Sequence, residues 1–363
     1  MLGSHREVTD VSMGRPSNFR ASKERPVSQP AGIDAAMPTL SNPAAATVST
    51  VLGPVSADEL GVVAVSEALL SVVPGAEHAF DITIDRAEIF GILAEKLSAF
   101  REAGGATIVD STGMFHGRDL ALYEALSRTT GVHIIASTGM GPEEMLGGYF
   151  LTPQTNPPTP WPAEKFADLF TKEATEGMVV PRVERRAAAG LVTAAADRSG
   201  MTPTEESLFR GAARTALATG IPMSLRFGND PLHDLGVVLD EDLPAARVLV
   251  GGLDRRDAAG AALAAAGLGA CVGLDHVGMN GDDAYLDDSG RVALVLELLQ
   301  GGHRDRILLS SNAVGVAKGH PDGDLPFSYL LSTFVPLLSA AGVSEEDIRH
   351  ILVDNPRELL RRR

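Results

Sequence analysis

Apolar residues along this chain fall into two alternating patterns. Short, nearly continuous runs of aliphatic and β-branched residues begin beyond residue 47: GVVAVS (61–66), ATIVDS (106–111), VHIIAST (132–138), GLVTAA (190–195), PMSLRF (222–227), RVLVGG (247–252), ACVGLD (270–275) and RILLSS (306–311). Such runs do not alternate in polarity, which is the mark of parallel strands covered on both faces. Between them lie longer stretches with helical periodicity and legible ends. TPTEESLFRGAARTALATG carries Thr and Pro at its start, acids in its first turn and Gly220 at its end. DRAEIFGILAEKLSAFREAGG closes on Gly104 and Gly105 in the same way. Eight such βα units predict an α/β fold, a (β/α)8 TIM barrel forming a single domain over residues 47–363. An open doubly wound sheet is the alternative, and no G-x-G-x-x-G follows an early strand to support it.

The first 46 residues read differently. They are rich in Ser, Pro, Arg and Ala without hydrophobic period, and they lack the apolar core of a signal peptide. A disordered arm is expected there, with MLGSH (1–5) as a cloning remnant. Composition then narrows the partners. With 47 acidic against 31 basic residues the net charge is −16, which argues against nucleic acid or an anionic membrane surface. No apolar run is long enough for a membrane span. The single cysteine, Cys271, excludes an internal disulfide and fits a reducing, cytoplasmic setting.

In a barrel of this kind chemistry belongs at the C-terminal ends of the strands. Those ends carry Ser66-Glu67-Ala68, Asp110-Ser111-Thr112, Thr193, Arg226, Gly251-Gly252 followed by Asp254, Asp275-His276, and Ser310-Ser311-Asn312. Only one of them is a histidine, so the pattern is not that of a two-metal site.

The order of several segments resembles the phosphotriesterase family of the amidohydrolase superfamily. STVLGPVSADELGVVAVSEALL is similar to the family's opening, in which Thr-Val-x-Gly-Pro leads to a first strand ending His-Glu-His. AFREAGGATIVDSTGMFHGRDLALYEALSRTTGVHIIASTG follows its second and third units, GLDRRD stands where the family has Gly-His-x-Asp-Arg, and ILVDNPRELL resembles its closing helix. The resemblance runs from Val48 to Leu360. It implies a barrel, a binuclear zinc site and a homodimer. Carried over residue by residue, the two strand-one histidines fall on Ser66 and Ala68, and the bridging lysine of strand four on Thr193. The histidines of strands five and six fall on Arg226 and Gly252, and the strand-eight aspartate, ligand and proton shuttle, falls on Asn312. All six are replaced, so no metal and no other cofactor is expected.

What fills the emptied site is then the question. Arg226 has a fixed fork suited to a carboxylate or phosphate, and a salt bridge to Glu67 is the structural alternative. His276 is a candidate for acid–base work, and Glu67 for a desolvated base. Ser66, Thr193, Asp275 and Asn312 are expected to bind substrate, and Trp161, in the proline-rich loop after the third strand, to form an aromatic wall. The stretch VGMNGDDAYLDDSGR reads as a mobile lid with Asp282, Asp283, Asp287 and Asp288 facing water; His116 and His320 read as solvated loop residues. Three functions remain open. The first is a metal-independent enzyme acting on a small polar, carbonyl- or anion-bearing molecule by ester or lactone hydrolysis, elimination, isomerisation or cyclisation. The second is a non-catalytic small-molecule binder, a pseudoenzyme. The third is an ordinary zinc phosphotriesterase or lactonase.

Overall fold

A computed structural model describes residues 46–146, 159–180, 184–258, 260–321, 323 and 325–363. The arm expected over residues 1–46 lies outside these, apart from Ala46, as does much of the proline-rich loop. Among the described residues eight parallel strands follow one another around a ring: β1 (Val63–Val72), β2 (Thr107–Asp110), β3 (His133–Met140), β4 (Leu191–Ala195), β5 (Met223–Arg226), β6 (Val248–Gly251), β7 (Cys271–Leu274) and β8 (Ile307–Leu309). Each pairs with its sequence neighbour. A short strand β9 (Val314–Lys318) continues directly from β8 and pairs in parallel with β1, with Val314 opposite Ala68 and Val316 opposite Leu70. The last strand's segment thus returns to the first, and the open-sheet alternative falls away.

Seven of the eight expected strands end within two residues of their observed ends. The first does not: β1 runs past Ser66 to Val72, because the apolar Ala68-Leu69-Leu70 that follows is paired with β9. The helices cover the outside. α1 (Arg86–Glu102) buries Ile89, Leu93, Leu97 and Phe100, one per turn, and Asp85 caps its first N–H groups. α2 (Leu120–Thr130) and α3 (Ala163–Thr175) follow, and α4 (Pro203–Thr219) shows the start read from sequence. Thr202 and Glu205 there cap each other's backbone N–H, and Gly220 ends the helix at φ 74°.

The N-terminal end of the barrel is plugged with apolar side chains. Val63, Val65, Val109, Ile135, Leu191, Leu249, Cys271 and Leu308 come from seven strands and meet Val48 from an N-terminal hairpin and Leu359 and Leu360 from the C-terminal helix. The barrel interior at this end is filled with apolar side chains, which leaves the opposite end for chemistry. Truncation of Leu308, fully buried in the plug, is expected to cost ~2–5 kcal/mol by loss of transfer energy and the cavity it leaves; urea unfolding of Leu308→Ala measures it, and a loss below ~1 kcal/mol would contradict the packing described.

Candidate functional site

The C-terminal strand ends surround a cavity of about 170 Å³. Five of the expected residues meet there, each from a different part of the ring: Ser66 (β1), Thr193 (β4), Arg226 (β5), Asp275 just past β7, and Asn312 between β8 and β9. Arg226 is the last residue of its strand and its side chain is exposed to the cavity. Its guanidinium donates a hydrogen bond to Oδ1 of Asn312 at 3.1 Å. Asn312 sits at φ 46°, a backbone region that Asn tolerates better than most side chains. Among the described residues no carboxylate lies within ion-pair distance of Arg226, and the side chain that accepts its hydrogen bond is a neutral amide.

Asp275 is the second charged group of the cavity. Its Oδ2 accepts from the backbone N–H of Gly252 at 3.0 Å, while Oδ1 is buried without a hydrogen-bond partner. Glycine is required at two positions beside it, Gly251 on the neighbouring β6 and Gly273 two residues earlier on β7 itself, since a Cβ at Gly251 would lie 2.4 Å from Oδ2 and one at Gly273 2.5 Å from Oδ1. Burial pushes the Asp275 carboxyl up to about 7; the charge of Asp254 pushes the same way, and Arg226 and the Gly252 N–H pull against both. A carboxyl in that condition exchanges its proton near neutral pH.

Three expected site residues are not in the cavity. Glu67 is fully buried between Ser66 and Ala68, which both line it, and strand alternation puts Glu67 on the other face. There it accepts from Ser310 Oγ (2.8 Å), the Ser311 N–H (3.0 Å) and the Ala313 N–H (2.5 Å). Burial pushes its carboxyl up to about 7 against the pull of those hydrogen bonds. It therefore ties β1 to the β8–β9 link, and the expected salt bridge to Arg226 does not form. His276 is displaced by the same alternation: Asp275 faces the cavity and His276 does not line it. Its Nδ1 lies 2.7 Å from Oδ1 of Asp254, and its ring stacks on Tyr285 at 3.8 Å. Burial lowers the imidazole pKa despite that carboxylate. Burial also pushes Asp254 upward, but His276 first and then the fully buried Arg291, 2.7 Å from Oδ2, hold it below the ordinary carboxylate range. Trp161 packs on Phe166 with ring centroids 5.4 Å apart and lines no part of the cavity. The expected water-facing row of aspartates is also corrected at Asp288, which is buried and bound by Arg291, Tyr329 and Asn280.

The cavity also holds residues that sequence reasoning weighted little or not at all. His116 lines it, with Nε2 3.0 Å from the Gly141 carbonyl; burial first, then Arg226, lowers its pKa. Ser71 lines it from late in β1, beyond the expected end of that strand, and bonds to His320. Nothing in local sequence marks these positions; long-range strand pairing brings them in.

With the geometry in hand, the relationship to known proteins is informative. The sequence model of the Phosphotriesterase family matches residues 46–360, and the chain belongs to that family. It is 25% identical over 304 residues to a phosphotriesterase homology protein of Escherichia coli, covering 83% of this chain and 98% of that one. It is 29% identical to an aryldialkylphosphatase of Saccharolobus solfataricus (70% and 80% covered) and 27% identical to an N-acetyltaurine hydrolase of Tetraodon nigroviridis (73% and 76%). An organophosphorus hydrolase variant from Deinococcus radiodurans shares the fold, with a TM-score of 0.76 at 23% identity over 88% of this chain and 98% of that one.

The binuclear zinc pair that the resemblance implies does not fit the residues present. The ligand positions hold hydroxyls at Ser66 and Thr193, no donor side chain at Ala68 and Gly252, a permanent cation at Arg226 and an amide at Asn312 that already accepts from that cation. Zinc requires deprotonated nitrogen, sulfur or carboxylate donors. Among the described residues no group of three or more His, Cys, Asp or Glu is placed to hold a metal ion.

The arrangement makes a direct electrostatic expectation. In a spectrum resolving the Asp275 carboxyl carbon, the titration midpoint is expected near 7. Arg226→Ala removes a neighbouring positive charge and should move that midpoint higher. A wild-type midpoint near 4 would contradict the buried placement of Asp275.

Proposed function

We propose that this chain is a metal-independent hydrolase of small carbonyl compounds that carry an anionic group. The observation that supports the reading is the Arg226 guanidinium, exposed in the cavity and hydrogen-bonded, among the described residues, to a neutral amide, beside a buried carboxyl whose pKa burial pushes up to about 7. Arg226 holds the substrate's carboxylate, sulfonate or phosphate through its two-pronged donor edge. Asp275 sets the charge of the floor. Protonated, it leaves the full positive charge of Arg226 available; ionised, it offsets that charge. The relatives named N-acetyltaurine hydrolase lend weight to an acyl compound of this kind, since that name joins an amide to a sulfonate.

The sign of the pH dependence follows. Below about pH 7 Asp275 is protonated and the floor is net positive, so an anion binds more tightly; above it, binding weakens. Calorimetric titration with N-acetylglycine should show affinity falling between pH 6 and 8, and Asp275→Asn should remove that dependence. Arg226→Ala should abolish binding. Equal affinity for wild type and Arg226→Ala would sink the reading. Asn312→Asp offers a second check, because a carboxylate at 3.1 Å from the guanidinium occupies it internally; the affinity is expected to drop by about tenfold or more.

A further inference from the structure

We propose that Ser71, in the wall of this cavity, and His320 behind it form a nucleophile–base pair, and that acyl transfer passes through an ester of Ser71. The proposal rests on the reading of the cavity as a hydrolytic site and names its attacking atom.

The pair is built by the closure of the barrel. Ser71 lies late in β1, half-buried, and lines the cavity. On the adjoining β9, Ala317 is opposite Ser71 and Lys318 opposite Val72. The chain then turns back at Gly319, which adopts φ 85° in a corner where a Cβ would lie 3.0 Å from that of Ala76. The turn returns the imidazole of the next residue, so that His320 Nε2 stands 2.8 Å from Ser71 Oγ. The other ring nitrogen, Nδ1, is 3.2 Å from the carbonyl oxygen of Pro321. A carbonyl can only accept, so the tautomer that makes this contact carries its hydrogen on Nδ1. Nε2 is then the lone-pair nitrogen, and the Ser71 hydroxyl donates to it. That is the tautomer a general base needs, with nucleophile, base and orienting group in series.

The chemistry balances without a co-reactant other than water. As Ser71 Oγ bonds to the carbonyl carbon of an ester, its proton passes to Nε2. The bond from that carbon to the leaving oxygen breaks, and the leaving oxygen takes the proton from Nε2. Water then attacks the acyl-serine, gives a proton to Nε2, and the proton returns to Oγ as the acid departs. Arg226 lines the same cavity and holds the substrate's anionic end while this proceeds, so the substrate class is an ester or activated amide bearing an acid group.

A neutral alkyl fluorophosphonate tests the pair apart from the anion site. Intact wild-type protein should gain one covalent adduct, mapped to Ser71 by peptide mass spectrometry. Ser71→Ala should gain none there, and His320→Gln, which keeps a polar partner for Ser71 but no base, should be labelled at least ~100-fold more slowly. An adduct at another residue only, or no adduct at all, would overturn the pair. Equal rates for His320→Gln and wild type would overturn the role of His320. Failure of the wild-type protein to bind N-acetylglycine, with labelling intact, would count against the anion site alone.

Discussion

Everything at this barrel's mouth is arranged around a charge that cannot be removed. A guanidinium stays protonated at any physiological pH, and here it stands at the end of β5 and donates, among the described residues, to the amide of Asn312 rather than to a carboxylate. A carboxylate at position 312 would have closed the charge into an ion pair and made the site electrically silent. An amide keeps the geometry and leaves the field. The buried Asp275 responds to that field, and the two together make a floor whose net charge changes near neutral pH.

The scaffold holds this floor through polar groups on its hidden face. Glu67 accepts three hydrogen bonds from the β8–β9 link and so fixes Asn312, which lies between Ser311 and Ala313. Behind β6 and β7, Asp254 is shared by His276 and the fully buried Arg291, and Arg291 is in turn held by Asp288 on α7 (Asp288–Gln300). Buried charges survive there because each meets an opposite one or several donors. These groups resemble catalytic residues in their chemistry and serve as positioning residues in their placement.

The sequence was informative about the fold because near-continuous apolar runs and capped helices are local signals. Strand positions, the helix capped by Thr202 and Glu205, and the convergence of Ser66, Thr193, Arg226, Asp275 and Asn312 all follow from residue order within a barrel. Alternation continued past β7 puts Asp275 inside and His276 outside, but for Glu67 it misleads: Val63 and Val65 point into the plug, and an irregularity in the β1–β2 register between Ala64 and Glu67 reverses the face, so that Ser66 and Ala68 line the cavity and Glu67 does not. What no local pattern carries is contact across the barrel seam. Ser71 meets His320 only because β9 pairs with β1, and Trp161 turns to Phe166 rather than to the cavity because an apolar surface is available beside it.

The central claim is that an arginine and neutral side chains have replaced a cation-binding centre with an anion-binding one. Zinc stoichiometry tests it most directly. Purified full-length protein, incubated with excess zinc and then desalted, should retain well under one zinc ion per chain by elemental analysis, with Arg226→Ala no different. Retention of two zinc ions per chain, lost on mutation of residues lining the cavity, would contradict the account.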